Sequence, residues 1–230
     1  MTTSTVSKNL LTSDPFFPTV IFQPLALTGN TGADKSGNAA TITNTGATTT
    51  NSIVKQDAYS WSFNGTSQYF TVPSNATYAL SGDFTIECWF YMTATNLYPS
   101  IICCTVSGAT AWSLAFSAST STPIFAHLTV STVILSAGGN VSLNAWHHFA
   151  VTRQSGLATL WIDGVNQGTA TDATSYVNSG ITVGVGTTAA GAPAASEYFS
   201  GSVCGIRVSK FARYAANFSN SLPLTTFDIS

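Results

Sequence analysis

The acidic side chains of this sequence decide whether it can do hydrolytic chemistry. Paired-carboxyl hydrolysis of a glycosidic bond needs two carboxyl groups about 5–10 Å apart. The chain of 230 residues holds only two glutamates, Glu87 and Glu197, separated by about half of its length. No Ser/His/Asp order stands out, and no glycine-rich phosphate loop follows a predicted strand. The sequence therefore predicts no catalytic residue and no enzyme activity.

The histidine pair His147-His148 is the next candidate for acid–base or metal chemistry. It lies in a run rich in strand-forming residues, and neighbouring residues of a strand face opposite sides of the sheet. We therefore expect the two imidazoles to diverge, with one packed and the other facing water or a neighbour.

The four cysteines have no spacing that a zinc site uses. Cys103 and Cys104 are adjacent, while Cys88 and Cys204 stand in separate strand-like runs. We expect free, buried thiols, because a free cysteine behaves as a small hydrophobic residue. A single bridge from Cys88 to Cys103 or Cys104 is the alternative.

The composition limits the partners that the protein can have. Charged residues make up 7% of the chain, against about 25% in an ordinary soluble domain, so Ser, Thr, Asn and Gly must cover the surface. The net charge of −2 with seven Lys and Arg lacks the basic footprint of a nucleic-acid-binding protein. The apolar runs are far shorter than the roughly 20 residues that span a bilayer. We expect neither nucleic acid nor membrane as a partner.

Short strands dominate the elements that must position these residues. Most predicted strands are bounded by Gly, Pro, Asn or Ser, and no segment keeps a 3.6-residue period. The predicted strands are 20–27, 40–45, 59–63, 69–72, 84–92, 100–106, 111–117, 124–130, 132–136, 146–153, 157–162, 180–185 and 198–208. Short helical turns are predicted near 75–80 and 212–217, and residues 29–56 and 186–195 are predicted to be long loops or weak edge strands. This pattern indicates an all-β, two-sheet antiparallel sandwich.

The clearest local pattern is the run 146–168, WHHFAVTRQSGLATLWIDGVNQG. Gln154-Ser155-Gly156 has turn chemistry, and Asp163-Gly164 is a strong hairpin signal because both positions tolerate positive φ. We predict a meander of three adjacent antiparallel strands here.

The strand 84–92 places Glu87 on the face opposite Phe84, Ile86 and Cys88. The apolar face is predicted to be core. Glu87 then either meets solvent or pairs inside the sandwich, and Arg153 and Arg207 are the expected partners because a buried carboxylate requires pairing.

The N-terminal segment 1–18 differs in character from the rest of the chain. It is rich in Ser and Thr and ends in Asp14-Pro15-Phe16-Phe17-Pro18, where the prolines favour an extended path. Leu10, Leu11, Phe16 and Phe17 are apolar without a local core. The segment is therefore either a frayed tail or an extended arm that docks on a partner, and residues 19–230 form the sandwich domain.

Several segments in order resemble the laminin-G-like, concanavalin A-like jelly rolls. The W-H-H-x-A-x-T-R…D-G run is one of them. The others are WSFNG with QYFTV, GDFTIECW, FSG with GIRVS, and KFARYAANF, the last similar to a tail of phage-encoded copies. Together they cover about residues 57–220. The resemblance implies a concanavalin A-like jelly-roll sandwich and says little about the ligand, because this fold hosts many functions.

The resemblance also implies what the domain can bind. Calcium is a frequent cofactor of the family, and Asp34 and Asp57 are the candidate ligands, although Lys35 beside Asp34 favours a structural Asx-turn. We expect no essential cofactor or metal.

Two functions follow as hypotheses. The first is a non-enzymatic virion structural protein of a bacteriophage, such as a capsid decoration, head-fibre or tail-associated subunit. It would contact other virion subunits and its own copies. The 18 N-terminal residues hold no apolar run of signal-peptide length, which fits a protein made in the bacterial host cytoplasm and found in the virion. The alternative is a carbohydrate-binding adhesin module that recognises host surface glycans, with Tyr98, Trp112 and Tyr176 predicted to stack on sugars from loops.

Overall fold

The computed structural model describes residues 19–104, 112–127, 132–177, 179–188 and 191–218. The predicted arm 1–18, with Leu10, Leu11, Phe16 and Phe17, lies outside the described residues. The described chain folds as two antiparallel sheets packed face to face, with two smaller hairpins beside them. This confirms the all-β jelly-roll sandwich predicted from the sequence.

The first sheet has eight strands and carries the meander. Its order is β15-β14-β13-β8-β19-β6-β5, and β1 also pairs with β19. Its strands are β1 (Val20–Phe22), β5 (Thr48–Thr50), β6 (Ser60–Asn64), β8 (Phe84–Ala94), β13 (Trp146–Gln154), β14 (Leu157–Ile162), β15 (Val165–Thr171) and β19 (Ser200–Ser209).

The second sheet has seven strands in the order β12-β11-β10-β9-β16-β7-β4. Its strands are β4 (Thr43–Thr45), β7 (Tyr69–Val72), β9 (Ser100–Cys104), β10 (Trp112–Phe116), β11 (Pro123–His127), β12 (Thr132–Ser136) and β16 (Ile181–Val183). The small hairpins pair β2 (Pro24–Leu27) with β3 (Thr31–Asp34), and β17 (Val185–Thr187) with β18 (Pro193–Tyr198). A short 3₁₀ helix spans Ala76–Tyr78.

The core lies between the two large sheets and is rich in aromatic rings. Phe84, Ile86, Cys88 and Phe90 of β8 are fully buried in it, as the alternation of that strand predicts. The ring of Phe90 packs edge-on against Phe116 of the second sheet, with centroids 5.2 Å apart. Such pairs, together with the buried aliphatic side chains of both inner faces, hold the sheets together through removal of apolar surface from water.

Three differences from the predicted elements have local causes. The predicted strand 20–27 is two strands, because Gln23 turns inward and its backbone N–H donates to the side chain of Asp34. Residues 29–56 hold three short strands: β4 lies within the predicted strand 40–45, whereas β3 and β5 fall where only long loops or weak edge strands are predicted, because they carry too few apolar side chains. The predicted helical turn at 212–217 is wrong, because this segment lies as an extended strap on the first sheet.

The predicted meander at 146–168 is confirmed. Phe149 pairs with Ile162 and Leu157 with Thr171, so β13, β14 and β15 are neighbours in one sheet. Asp163 and Gly164 form the hairpin turn with φ of 51° and 76°. Both residues are in the left-handed region that the Asp-Gly pair predicts.

This turn makes a substitution test possible. Gly164→Val should lower the free energy of unfolding by roughly 1–3 kcal/mol, because a β-branched residue resists positive φ. Thermal and denaturant unfolding measure the change. Gly82→Val is the matched control, since a Cβ there meets no atom within 4 Å and its φ is not positive. Equal stabilities of the two variants would contradict the assigned turn.

Candidate functional site

A cleft of about 410 Å³ opens at one end of the sandwich, a volume within the usual range of small-ligand sites. It lies between the β14–β15 turn and the segment that joins β12 to β13. Its polar side chains are Asn140, Ser142, His147, Asp163 and Gln167, and its apolar side chains include Ala137, Val141, Ile162 and Val165.

The hairpin turn fixes Asp163 at the centre of this cleft. The backbone N–H of Asp163 donates to the carbonyl oxygen of His148 at 2.9 Å. In return the backbone N–H of His148 donates to Asp163 Oδ1 at 2.8 Å. Asp163 is therefore tied to His148 of β13 through its backbone and through Oδ1, and the second carboxylate oxygen is left to bind elsewhere.

A hydrogen-bond chain runs from this carboxylate to the cleft surface. Asp163 Oδ2 lies 2.6 Å from His147 Nδ1, and His147 Nε2 lies 2.8 Å from Ser142 Oγ. Burial opposes the charge of Asp163, but the hydrogen bonds from the His147 side chain and the His148 backbone outweigh it and hold the pKa of Asp163 below its usual value. With a proton on Nδ1 of a neutral His147, Ser142 donates to Nε2, and its oxygen lone pairs can accept from a ligand.

Two amides complete the polar lining. Asn140 Oδ1 accepts from the Thr122 hydroxyl at 2.6 Å, which orients its NH₂ group as a donor. Gln167 Nε2 donates to the carbonyl oxygen of Val165 at 3.3 Å, so its side-chain oxygen can accept. The cleft thus offers donors and acceptors in fixed positions beside apolar side chains, an arrangement suited to a ligand with many hydroxyl groups.

The divergence of His147 and His148 is confirmed. His147 contributes to the cleft, whereas His148 is buried on the outer face of the first sheet, where its ring lies 5.3 Å from that of Trp89. Sequence reasoning did not detect that Ser142, His147 and Asp163 come together. The signal was present in the His147 to Asp163 spacing, because a two-residue turn between paired strands brings these positions to the same end of the sheet.

The buried carboxylate of Glu87 forms the other strong polar cluster. It accepts hydrogen bonds from Arg207 Nε at 2.9 Å, from Arg213 Nη1 and from the hydroxyl of Tyr214, and His148 Nε2 lies 3.6 Å away. Burial alone would raise the pKa of Glu87, but the charge of Arg213 and the hydrogen bonds outweigh it and lower the pKa to about 2. The residue is fully buried, yet it lies on the outer face of the sheet and not inside the sandwich.

The cover over Glu87 is the segment 210–218, which we call the C-terminal strap. The Thr85 hydroxyl donates to the carbonyl oxygen of Phe211 at 2.6 Å, and Tyr214 stacks on Phe218 with ring centroids 3.8 Å apart. The backbone N–H of Phe218 then donates to the carbonyl oxygen of Gly164 at 2.9 Å. The strap therefore links the Glu87 cluster to the turn that holds Asp163.

Of the two predicted partners of Glu87, Arg207 is confirmed and Arg153 is wrong. Arg153 pairs instead with Asp172 at 3.2 Å and donates to the carbonyl oxygens of Leu80 and Gly82. The reason is strand parity. Arg153 shares the inward face of β13 with Phe149 and Val151, whereas Glu87 faces outward.

The predicted glycan-stacking residues separate into two groups. Trp112 lies within β10 and Tyr176 in a bridge to Leu80, and each is only 1% exposed. The prediction that these two rings project from loops is therefore wrong, because both fill the core and neither can meet a sugar. Tyr98 is partly exposed in the loop between β8 and β9, with φ of 55°, and its role in binding stays a prediction.

The two candidate calcium ligands are engaged in protein hydrogen bonds. Asp34 accepts from the backbone N–H groups of Gln23, Ser36 and Ala40 and from the Ser36 hydroxyl, which makes it the cap of a turn. Burial raises the pKa of Asp57 to about 6, although the N–H of Gly205 donates to it. Within the described residues, no three His, Cys, Asp or Glu side chains form a metal-binding group.

The cysteines are buried and form no disulfide, as predicted. All four thiols lie in strands, and the alternative bridge from Cys88 to Cys103 or Cys104 does not form. Burial raises the pKa of Cys204 to about 12, so this thiol is a poor nucleophile.

Among the described residues there is no helix with the length and apolar character to cross a bilayer.

A family model described as the concanavalin A-like lectin/glucanases superfamily matches residues 64–217. This span includes the cleft, Glu87 and most of the strap. No curated protein matches the sequence.

Similar solved structures support the fold. Domain 4 of AbnA, a GH43 extracellular arabinanase from Geobacillus stearothermophilus in complex with arabinotriose, has a TM-score of 0.62 at 14% identity, covering 85% of this chain and 91% of that one. A structure titled for the interaction of botulinum neurotoxin type C with two ganglioside molecules has a TM-score of 0.64 at 16% identity, covering 86% and 49%. The binding domain of Paraclostridial Mosquitocidal Protein 1 has a TM-score of 0.60 at 17% identity, covering 90% and 51%. The chain thus spans about half the length of the toxin chains, and at these identities the likeness shows the fold alone.

The Glu87 cluster gives a stability test. Glu87→Gln should lower the free energy of unfolding at pH 7 by about 3–5 kcal/mol, because it leaves buried guanidinium groups without their carboxylate. The wild-type protein should lose stability as the pH falls from about 4.5 towards 2, since the folded pKa of Glu87 is about 2 and its ordinary value is 4.5. The variant should lack this dependence, as measured by unfolding across pH.

Glu197→Gln is the control, because the pKa of Glu197 is shifted in the direction opposite to that of Glu87. Burial raises the pKa of Glu197 to about 7, so the stability due to this group is complete below its ordinary value of 4.5 and is lost as the pH rises through 7. This variant should be more stable than the wild type at pH 8 and similar to it at pH 4. Parallel pH profiles for the two variants would show that Glu87 is not the buried anion described here.

Proposed function

Because the chain belongs to the concanavalin A-like lectin/glucanases superfamily, we propose that it is a non-enzymatic carbohydrate-binding module whose cleft around Asp163 takes a glycan. The observation that carries the proposal is the cleft itself, in which Ser142, His147 and Asp163 form one hydrogen-bond chain. A sugar presents hydroxyl groups that both donate and accept, and an ordered set of partners fixes its orientation. The arabinotriose-bound arabinanase domain and the ganglioside-associated neurotoxin share this fold, which favours the same class of ligand.

Binding can be tested on the cleft amides, of which Asn140 is exposed and Gln167 is partly exposed. Asn140→Ala and Gln167→Ala should each weaken glycan binding by about 2- to 10-fold, because one hydrogen bond is worth a net 0.5–1.5 kcal/mol. A glycan array identifies the ligand, and calorimetry measures the affinity. Asn51→Ala, an exposed amide outside the cleft, is the control.

The same calorimetry tests the proposal that no calcium is needed. EDTA should change neither the affinity nor the melting temperature, because the oxygens of Asp34 already accept N–H and O–H donors. A glycan array without any hit would exclude the binding function. Binding that disappears with EDTA would exclude its metal-free form.

The order Ser142–His147–Asp163 also matches the nucleophile, base and orienting acid of acyl-transfer enzymes. We propose that the chain positions hydroxyl acceptors and does not activate Ser142 for attack, since Ser142 lies on an exposed segment. The protein should therefore neither hydrolyse p-nitrophenyl acetate above the Ser142→Ala background nor be labelled by a fluorophosphonate. Labelling that maps to Ser142 would make the protein an enzyme.

We also propose that the protein is a subunit of a bacteriophage virion, as a capsid decoration, head-fibre or tail-associated protein. The favouring observations are the 7% charged residues, which leave little electrostatic protection against association, and the phage-like KFARYAANF run that forms the strap. Four cysteines outside any disulfide also fit synthesis in a reducing bacterial cytoplasm. Binding of a host glycan would then be the adhesive function of that subunit.

This setting predicts a role for the arm in assembly. A chain that starts at Thr19 should fold with an unchanged melting temperature and should fail to join particles, because burial of two apolar side chains supplies roughly 3–6 kcal/mol. Mass spectrometry and electron microscopy of purified particles are the measurements. Full occupancy by the truncated chain would refute the docking arm, and particles without the full-length chain would refute the virion setting.

A further inference from the structure

We infer that the cleft continues along the end of the sandwich to the tyrosine pair Tyr69 and Tyr198, so that the protein takes an extended neutral oligosaccharide and not a single terminal sugar. This inference rests on the proposed glycan-binding function and extends the same site. It is carried by three observations, namely the exposed rings, the strand order and the charge of the connecting surface.

The tyrosine pair is an aromatic surface that the sequence did not single out. Tyr69 begins β7 and Tyr198 ends β18, and their ring centroids lie 6.4 Å apart at an interplanar angle of 56°. Both side chains are partly exposed, unlike those of Trp112 and Tyr176. An aromatic ring with one face available offers apolar contact to the C–H face of a sugar and a hydroxyl at its edge.

The strand order brings this pair to the same end of the molecule as Asp163. The β14–β15 turn, the start of β13, the end of β8 and the start of β19 follow one another along the sheet, as the pairs Trp146–Tyr91 and Ser200–Ala94 show. From β14 to β19 there are three strand spacings, or about 14 Å. A ligand that reaches from Asp163 to Tyr198 must therefore be longer than one sugar ring.

The surface between the cleft and the tyrosine pair is held together by hydrogen bonds. Asn96 Nδ2 donates to the carbonyl oxygens of Gly65 and Tyr198, both at 2.8 Å, and the carbonyl oxygen of Asn96 accepts from the N–H of Ser119. Leu97 beside it is 46% exposed and adds apolar surface. These bonds hold the loop between β8 and β9 against its neighbours, and the Ser121 hydroxyl, two residues beyond Ser119, donates to the carbonyl oxygen of Val141 in the cleft lining at 2.6 Å. The surface from the cleft to the tyrosines is therefore held by hydrogen bonds between its loops.

The charge along this end selects the class of sugar. Among the residues that the structure describes, the segments that form it contain no Lys or Arg, and Asp163 is their one acidic residue. These segments are 64–69, 93–99, 117–122, 137–147, 162–167 and 198–200. A sialylated or sulfated glycan would find no Lys or Arg to pair with and would meet the carboxylate of Asp163, whereas the hydroxyl groups of a neutral glycan can bind it.

The test is an array of neutral oligosaccharides from one to five residues, together with their sialylated counterparts, followed by calorimetry on the bound series. Affinity for neutral chains should rise with length. Tyr198→Ala and Tyr69→Ala should each remove about threefold to tenfold of the affinity for the longest chain and leave that for the shortest unchanged. Gln167→Ala should weaken all lengths, and Tyr91→Ala, a partly exposed tyrosine on the outer face, should weaken none.

The outcomes separate this inference from the proposed function. Affinity that does not depend on length, unchanged long-chain binding in both tyrosine variants, or a preference for sialylated chains would overturn the extended neutral site while the glycan-binding function stands. Failure of the wild-type protein to bind any glycan would overturn both. Melting temperatures of the variants should match that of the wild type, which shows that lost affinity is not lost folding.

Discussion

The constraint on which this structure depends is the full burial of one carboxylate on the outside of a sheet. Glu87 is fully buried, so its charge must be matched by Arg207, Arg213 and the Tyr214 hydroxyl. The sheet itself supplies Arg207 from β19, whereas Arg213 and Tyr214 follow the last strand. The C-terminal strap therefore lies across the strands, and its aromatic side chains cover His148 and Trp161 as they shield the ion pairs.

The C-terminal strap also holds the candidate site in place. The strap ends where the Phe218 backbone binds the carbonyl of Gly164, and the Asn217 side chain accepts from the N–H of Asn166 on the other side of the turn. The turn in which Asp163 lies is therefore braced from outside the sheet as well as by β13. A hydrogen-bond chain on a hairpin tip keeps its geometry only when the tip is held in this way.

Local patterns in the sequence were enough to predict the fold and the meander, but not the pairing of distant side chains. Alternation in 84–92 identified the inner face, and Asp163-Gly164 identified the turn. Arg153 was misassigned because its parity along β13 was not compared with that of Glu87. Trp112 and Tyr176 were taken for exposed rings because burial depends on which sheet covers a residue, and no short pattern contains that information. The strands β3, β5 and β18 have too few apolar residues for their alternation to be recognised.

The large sequence separation between Glu87 and its partners also affects how the domain folds during synthesis. Arg213 follows Glu87 by 126 residues, and Tyr214 follows it by 127. While the chain is being synthesised, β8 can pair with β13 long before either partner has left the ribosome, and its central carboxylate then has no cation. The native arrangement of the first sheet around Glu87 is therefore reached only after the strap has been synthesised. It must complete after residue 214 emerges, and such late, non-local closure is slow compared with local pairing. During that interval the outer face of β8 is open, and it is the part of the nascent chain that a chaperone would have the most reason to bind.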